Sequence, residues 1–301
     1  MNVHSNPAPR AKGPLVWLDM DQQALDDAYD QEVYAPNREL IVKRRHAASE
    51  RARAIVGVPK RVAYGPTAIE QLDIFGCGIK DAPINVFVHG GAWRRNKAAD
   101  YALLAEPLMR AGAHCVVLDF INVDEADGNL FPMYRQVRRA LAWVYRNAAS
   151  FGGDRNRIYI SSHSSGSHLA GVVLTRGWQE EGLPSDAFKG AVLLSGMYDL
   201  EPVRLSKRSA YVKFTDAMEQ ELSAQRYLDG LHTPLVLAIG TCETPEFQRQ
   251  SRDFAAAVAK AGKPVELLVG EGYNHFELLE TLANPYGLTG RAMLQQMQLT
   301  T

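Results

Sequence analysis

Short apolar runs of strand length alternate with segments of helical periodicity along most of the chain. The apolar runs cover residues 61–65, 70–76, 84–91, 114–121, 157–161, 188–196, 234–240 and 264–270. Between two of them, Val137, Leu141 and Val144 recur at steps of three and four residues, which indicates one face of a helix. This alternation predicts an α/β fold: a mainly parallel, eight-stranded sheet with helices on both faces.

The polar segments divide the chain further. Residues 1–56 contain a Pro-rich start and a charged, helix-prone arm that is broken at Ala35-Pro36-Asn37. The α/β domain is expected to cover residues 57–301. Within it, the polar helical insertion at residues 200–231 is expected to form a small cap over the site.

Composition excludes several classes of function. The 301 residues are 46% hydrophobic and 22% charged, with a net charge of -1, so no basic excess favours nucleic acid or an anionic membrane as partner. Cys77, Cys115 and Cys242 have no C-x-x-C spacing, which argues against a zinc site and suits a reducing compartment. Without a recognisable secretory signal or membrane-span pattern, we expect a cytoplasmic protein that acts on a small molecule. The amphipathic segment 286–301 is a candidate contact with a second subunit.

The stretch "SHSSG", residues 162–166, lies between a predicted strand and a predicted helix. It overlays the nucleophile-elbow pattern G-x-S-x-G, with Ser164 at the centre and Gly166 as the second glycine. Ser162 stands where the first glycine is usual. The alternative reading is a serine-rich cap at the start of a helix, so the rest of the chain has to decide.

The end of the strand at 84–91 carries a second feature. The sequence there is "HGGAWRRN", residues 89–96, at the position where this architecture forms part of its oxyanion hole. Gly90 allows the loop to bend, and the amides of Gly91 and Ala92 are predicted to bind an oxyanion together with the amide of Ser165.

A base and an acid are expected after the last two strands. His275 follows the final strand, whereas the other seven histidines lie at positions that suit packing or the surface; His89, for example, is expected to brace the oxyanion loop. Glu243 follows the penultimate strand and is favoured over Glu246, which sits in the first turn of a helix. The order Ser164, Glu243, His275 is the one expected for this fold.

Five stretches of the chain resemble the α/β-hydrolase fold and, within it, the arylformamidase (kynurenine formamidase) family, with wider similarity to carboxylesterases. They are "HGGAW" (89–93), "SHSSGSHLA" (162–170), "SGMYDLEPV" (195–203), "ETPEFQRQS" (243–251) and "NHFELLE" (274–280). The resemblance implies a serine hydrolase that needs no metal or cofactor and cleaves N-formyl arylamines, with some members acting on esters. Ser162 and Glu243 depart from the family pattern, which typically has Gly and Asp at these positions.

Substrate contacts are less constrained by the sequence. Trp93, Arg94 and Tyr198 lie just beyond strand ends and are candidate substrate-binding residues, Arg94 and the adjacent Arg95 for a substrate carboxylate. Core packing for the aromatic residues and a solvated surface for the arginines are the alternatives. The rival functions are a carboxylesterase or another amide hydrolase of aromatic or heterocycle degradation, and a non-enzymatic ligand-binding protein on the same scaffold. The last is disfavoured because a complete set of catalytic residues is present.

Overall fold

The computed structural model describes residues 12–300; the predicted Pro-rich start, residues 1–11, lies outside that range, as does Thr301. Its strands in chain order are β1 (Leu15–Trp17), β2 (Met20–Asp21), β3 (Lys60–Ala63), β4 (Gln71–Phe75), β5 (Ala82–Val88), β6 (His114–Leu118), β7 (Gly153–His163), β8 (Phe188–Leu194), β9 (Leu235–Gly240) and β10 (Val265–Gly270). β1 and β2 form a small antiparallel pair of their own. The other eight strands form one sheet.

The order of strands in the large sheet is β10-β9-β8-β7-β5-β6-β4-β3. β3 and β4 pair antiparallel, β4 pairs antiparallel with β6, and every other pairing is parallel. The prediction of a mainly parallel, eight-stranded sheet is therefore confirmed. Because β5, β7, β8, β9 and β10 run in one direction, their carboxyl ends meet at one edge, which is where ligands bind in such sheets.

Helices cover both faces of this sheet. In chain order they are α1 (Gln22–Ala28), α2 (Gln31–Tyr34), α3 (Arg38–Val56), α4 (Ala105–Arg110), α5 (Phe131–Asn147), α6 (Ser165–Leu174), α7 (Glu201–Leu205), α8 (Asp216–Glu221), α9 (Pro245–Lys260), α10 (His275–Leu282) and α11 (Leu288–Gln296). None of these helices in the described range is both long and apolar enough to cross a bilayer.

The alternating direction of side chains along the central strand β5 explains why helices pack on both faces of the sheet. Val86 and Val88 belong to the hydrophobic cluster that contains residues of α5, α6 and α9. Phe87, between them, belongs to a second cluster with residues of α4, α10 and α11. Successive side chains of a strand point to opposite faces, so a continuous apolar run is what a strand buried on both faces requires.

The N-terminal arm is docked on the domain. Leu25 and Tyr29 are almost completely buried. The Tyr29 hydroxyl donates to Glu246 Oε2 at 2.8 Å and accepts from Gln250 Nε2 at 2.7 Å, both in α9. At the predicted break, Asn37 Nδ2 donates to Glu277 Oε1 in α10 at 2.7 Å. The arm thus reaches two helices that follow the last strands of the sheet.

The insertion at 200–231 consists of α7, α8 and short 3₁₀ turns, and it contacts the arm. The backbone amide of Lys207 donates to Asp26 Oδ1 at 2.6 Å, and Arg208 Nη2 donates to the backbone oxygen of Tyr29 at 3.0 Å. Arm and insertion therefore meet over the carboxyl edge of the sheet.

We expect the Leu25→Ala variant to be less stable than the wild type by about 2–5 kcal/mol, because Leu25 is fully buried and its removal leaves a cavity between the arm and the domain. Urea unfolding followed by circular dichroism measures the difference. Leu40→Ala is the matched control in the same arm, since Leu40 is 63% exposed and its loss should change stability by less than about 0.5 kcal/mol. Equal effects at the two positions would contradict a docked arm.

Candidate active site

The turn between β7 and α6 is abrupt. β7 ends at His163, α6 begins at Ser165, and Ser164 between them has φ 59° and ψ -125°. A positive φ is uncommon for a residue other than glycine and marks a conformation that the surroundings must enforce. Here the Ser164 amide is held by the backbone oxygen of Leu194 at the end of β8, at 2.8 Å.

Close packing explains the glycine of this turn. A Cβ atom on Gly166 would lie 2.2 Å from the backbone oxygen of Val88 and 2.5 Å from that of His89. The first turn of α6 therefore rests directly on the end of β5, and only a hydrogen atom fits between them. The distance is the physical reason for the second glycine of the sequence pattern.

Ser162, which replaces the usual first glycine, is accommodated by a hydrogen-bond chain. Ser167 Oγ donates to the backbone oxygen of Leu194 at 2.8 Å. Since that bond uses the only hydroxyl proton of Ser167, Ser162 is the donor in its 2.9 Å contact with Ser167 Oγ. The extra hydroxyl is completely buried and satisfied, so this departure does not disturb the turn.

The structure brings Ser164, His275 and Glu243 together. His275 Nε2 lies 2.8 Å from Ser164 Oγ, and His275 Nδ1 lies 2.7 Å from Glu243 Oε2. Because a carboxylate oxygen accepts, Nδ1 carries the proton and Nε2 is free to accept from the serine hydroxyl. Glu246, the alternative acid, is ion-paired with Arg249 instead, at 2.6 Å.

Both oxygens of Glu243 are fully used as acceptors. Oε1 accepts from Ser195 Oγ at 2.7 Å and from the Gly240 amide at 2.7 Å. Oε2 accepts from His275 and, at 3.3 Å, from Gln31 Nε2 of the arm. Sequence analysis missed Ser195 and Gln31: Ser195 follows the end of β8, a position that could have drawn attention, whereas nothing in the sequence connects Gln31 with the acid.

The glycine loop after β5 packs against this serine. A Cβ atom on Gly90 would lie 2.9 Å from Ser164 Cβ, and Gly91 and Ala92 have φ values of 120° and 56°. Among the described residues, the amides of Gly91, Ala92 and Ser165 have no hydrogen-bond acceptor. The loop is held in turn by the Trp93 amide, which donates to Ser165 Oγ at 3.1 Å.

A cavity of about 420 Å³ opens on Ser164 and His275. One wall comes from the arm, a second from the glycine loop and a third from the insertion. The aromatic residues that line it are Tyr29, Tyr101, Tyr211 and Phe276, and the basic residues are Arg38, Arg45, Arg94, Arg95, Lys207 and Arg208.

Comparisons with known proteins agree on the type of fold and enzyme. Residues 72–192 match the family model described as BD-FAE. Kynurenine formamidase of Danio rerio is 28% identical over 294 residues, which cover 93% of this chain and 98% of that protein. Esterase LipC of Mycobacterium tuberculosis is 30% identical over 223 residues, which cover 69% of this chain and 54% of that protein.

Solved structures show the same fold. A crystal structure from Silicibacter sp. TM1040 superposes with a TM-score of 0.78 at 21% identity and covers 90% of this chain and 98% of its own. The chain is an arylformamidase-like α/β-hydrolase. It is also similar in sequence to esterases such as LipC, and the structure of esterase LipW from Mycobacterium marinum has the same fold, with a TM-score of 0.69 at 20% identity and 90% coverage of both chains.

Two of the predicted substrate contacts need correction. In this hydrolase Trp93 is 2% exposed and its Nε1 donates to His168 Nδ1 at 3.2 Å. Tyr198 is fully buried and stacks on Phe254 with ring centroids 4.0 Å apart. Neither ring lines the cavity, because Trp93 packs against His168 and Tyr198 against Phe254 in the core. Arg94 does line the cavity, but it is ion-paired with Asp124 at 2.8 Å.

Three buried histidines surround the site of the hydrolase in neutral form. Burial lowers the pKa of His89, whose Nδ1 donates to the backbone oxygen of Gly90 at 2.9 Å. Burial, and then the neighbouring His275 ring, hold the pKa of His163 well below its usual range. His163 Nε2 donates to the backbone oxygen of His275 at 2.9 Å. Burial lowers the pKa of His168 to about 4.

We expect Gly166→Ala to destabilise the hydrolase by about 1–3 kcal/mol, because the added methyl group collides with the backbone oxygens of Val88 and His89. Urea unfolding is the measurement. Gly76→Ala is the control: a Cβ atom there would have its nearest neighbour, His114 Nδ1, at 3.8 Å. A fully stable Gly166→Ala variant would refute the tight contact between α6 and β5.

We expect the buried His168 to make the hydrolase acid-sensitive. Its ordinary pKa of 6.5 falls to about 4 on folding, so between these values the unfolded chain binds the extra proton and stability decreases as the pH falls. Between pH 7.5 and pH 5.5 the wild type should lose about 1 kcal/mol more than His168→Gln, in which the side chain keeps a donor and an acceptor but does not titrate. Urea unfolding at each pH is the measurement. If the free energy of unfolding changed with pH by the same amount in the wild type and in His168→Gln, the expectation would be wrong.

Proposed function

We propose that this α/β-hydrolase is a serine hydrolase that cleaves the N-formyl or another short N-acyl amide of an aromatic amine. The observation that supports the mechanism best is the continuous set of contacts from Ser164 Oγ to His275 Nε2, at 2.8 Å, and from His275 Nδ1 to Glu243 Oε2, at 2.7 Å. A serine needs such a base, oriented by an acid, to become a nucleophile near neutral pH.

In the first half of the proposed reaction, Ser164 Oγ attacks the carbonyl carbon and its proton moves to His275 Nε2. The oxyanion accepts hydrogen bonds from the amides of Gly91, Ala92 and Ser165. Glu243 stabilises the imidazolium that forms. The C–N bond then breaks, the amine leaves with the proton from His275, and the acyl group remains on Ser164.

In the second half, water attacks the acyl-enzyme. His275 takes a proton from the water and returns one to Ser164 Oγ as the carboxylic acid leaves, which restores the starting state. Preorganised amide donors of the kind proposed here typically contribute about 3 kcal/mol each to transition-state stabilisation.

The similarity to formamidases supports an aryl formamide as substrate. The kynurenine formamidases of Danio rerio and Salmo salar match over 93% and 91% of this chain and over 98% and 96% of their own. The aromatic side chains of the cavity, Tyr29, Tyr101, Tyr211 and Phe276, suit an aryl group.

A carboxylesterase is the second candidate. It is favoured by the sequence similarity to esterase LipC, which is 30% identical over 69% of this chain. The chemistry at Ser164 would be the same, with an alcohol in place of the amine as leaving group.

We expect Ser164→Ala to fold normally and to lose at least about 10⁴-fold in kcat on formanilide, because the proposed acyl-enzyme forms on Ser164 Oγ. Rates on formanilide, acetanilide and phenyl acetate separate the two candidates: formanilide should have a higher kcat/KM than acetanilide, and should be turned over at a rate comparable with the ester. Turnover of phenyl acetate without detectable turnover of formanilide would favour the carboxylesterase.

Ser162→Ala is the matched control for the identity of the nucleophile. It lies two residues away and is buried, so it should keep most of the activity. Mass spectrometry after treatment with a fluorophosphonate should locate the adduct on Ser164 in the wild type and in Ser162→Ala. An adduct on another serine, or an active Ser164→Ala variant, would exclude the proposed mechanism.

A further inference from the structure

The cavity beside Ser164 has an excess of positive charge that the proposed reaction does not use. Four of its six lysine and arginine side chains are ion-paired with three carboxylates: Arg38 and Arg95 share Glu32, Arg94 pairs with Asp124 and Lys207 with Asp30. Among the described residues, the remaining two, Arg45 and Arg208, have no carboxylate within 4.0 Å. They are also the most buried of the six, at 7% and 6% exposed.

Arg208, in the insertion, is surrounded by neutral groups. Its Nη1 donates to the Tyr211 hydroxyl at 2.9 Å and its Nη2 to the backbone oxygen of Tyr29 at 3.0 Å. The guanidinium carbon lies 5.4 Å from the centre of the Trp93 ring and 5.8 Å from that of Phe247. Its buried Nε has no acceptor among the described residues.

Arg45, in the arm, repeats this pattern. Its Nη2 donates to Asn96 Oδ1 at 3.1 Å, its guanidinium carbon lies 4.9 Å from the centre of the Tyr101 ring, and its buried Nε has no acceptor among the described residues. A buried charge is costly unless an opposite charge accompanies it. Two such charges on one cavity indicate that the missing anion is the ligand.

We propose that the substrate carries a carboxylate on its aromatic part, bound by Arg208 with Arg45 as a second cation. This inference rests on the proposed function and narrows its substrate class. A guanidinium presents a planar fork of donors that suits a carboxylate.

The acidic residues of the cavity narrow the expected class of substrates further. Asp30 and Glu32 are the carboxylates that line it, and both are already ion-paired with arm, loop or insertion residues. No lining carboxylate in the described range is left for a substrate ammonium group. We therefore expect a simple aryl carboxylate to be preferred to an amino-acid side chain that carries an ammonium group beside its carboxylate.

The test compares kcat/KM on 2-, 3- and 4-formamidobenzoate with the matching formamidobenzamides, which have nearly the same shape but no charge. In the wild type, we expect kcat/KM on at least one carboxylate isomer to exceed kcat/KM on the matching amide by about tenfold or more. Arg208→Gln should reduce that ratio by about 10- to 100-fold, mainly through KM, and Arg208→Lys should retain part of it. Benzoate should inhibit more strongly than benzamide, and N-formylkynurenine should be a poorer substrate than the preferred isomer.

Arg204→Gln is the matched control, because Arg204 lies in the same insertion but does not line the cavity and is paired with Asp216 at 2.7 Å; the ratio should change by less than about threefold. Thermal unfolding of each variant establishes that it is folded. The inference is overturned if no carboxylate isomer is preferred to its amide. It is also overturned if Arg208→Gln and Arg45→Gln lower kcat/KM on the carboxylate and on the matching amide by the same factor. In that event, turnover of formanilide by the wild type but not by Ser164→Ala would leave the proposed function standing. Absence of turnover of every formamide would refute the function itself.

Discussion

The contact between the first turn of α6 and the end of β5 is the constraint on which the site depends. With only a hydrogen atom between Gly166 and the backbone of Val88, the helix has to begin immediately after β7, and Ser164 is forced to φ 59°. The same contact places the glycine loop against the serine. One packing distance therefore fixes the positions of the serine hydroxyl and of the nearby free amides relative to each other.

A buried polar chain completes the site. Glu243 receives hydrogen bonds at both oxygens, so the acid is held from β8, β9 and the arm at once. Such a network tolerates burial because its members are satisfied, and it is rigid for the same reason. His275 is the imidazole that contacts both the serine and an acid. In the proposed mechanism, proton transfer therefore runs through this one ring.

Segments outside the sheet enclose the cavity. The arm contributes Arg45 and Gln31, and the insertion contributes Arg208, while the sheet and its turns carry the groups proposed for the chemistry. This division is common in folds that host many activities, since the walls can change without disturbing the centre. The proposed preference for an aryl carboxylate is a property of these walls alone.

The sequence by itself determined the eight strands and the positions of Ser164, Glu243 and His275, because continuous apolar runs identify buried strands and parallel strands bring their carboxyl ends to one edge. Only the tertiary structure decided the rest. Gln31 is 212 residues from Glu243, and nothing in the sequence specifies how the arm docks. Trp93 and Tyr198 also follow strand ends, yet their rings turn into the core. Position after a strand predicts which residues reach the edge of a sheet, whereas the direction of a side chain there depends on the packing of segments far away in sequence.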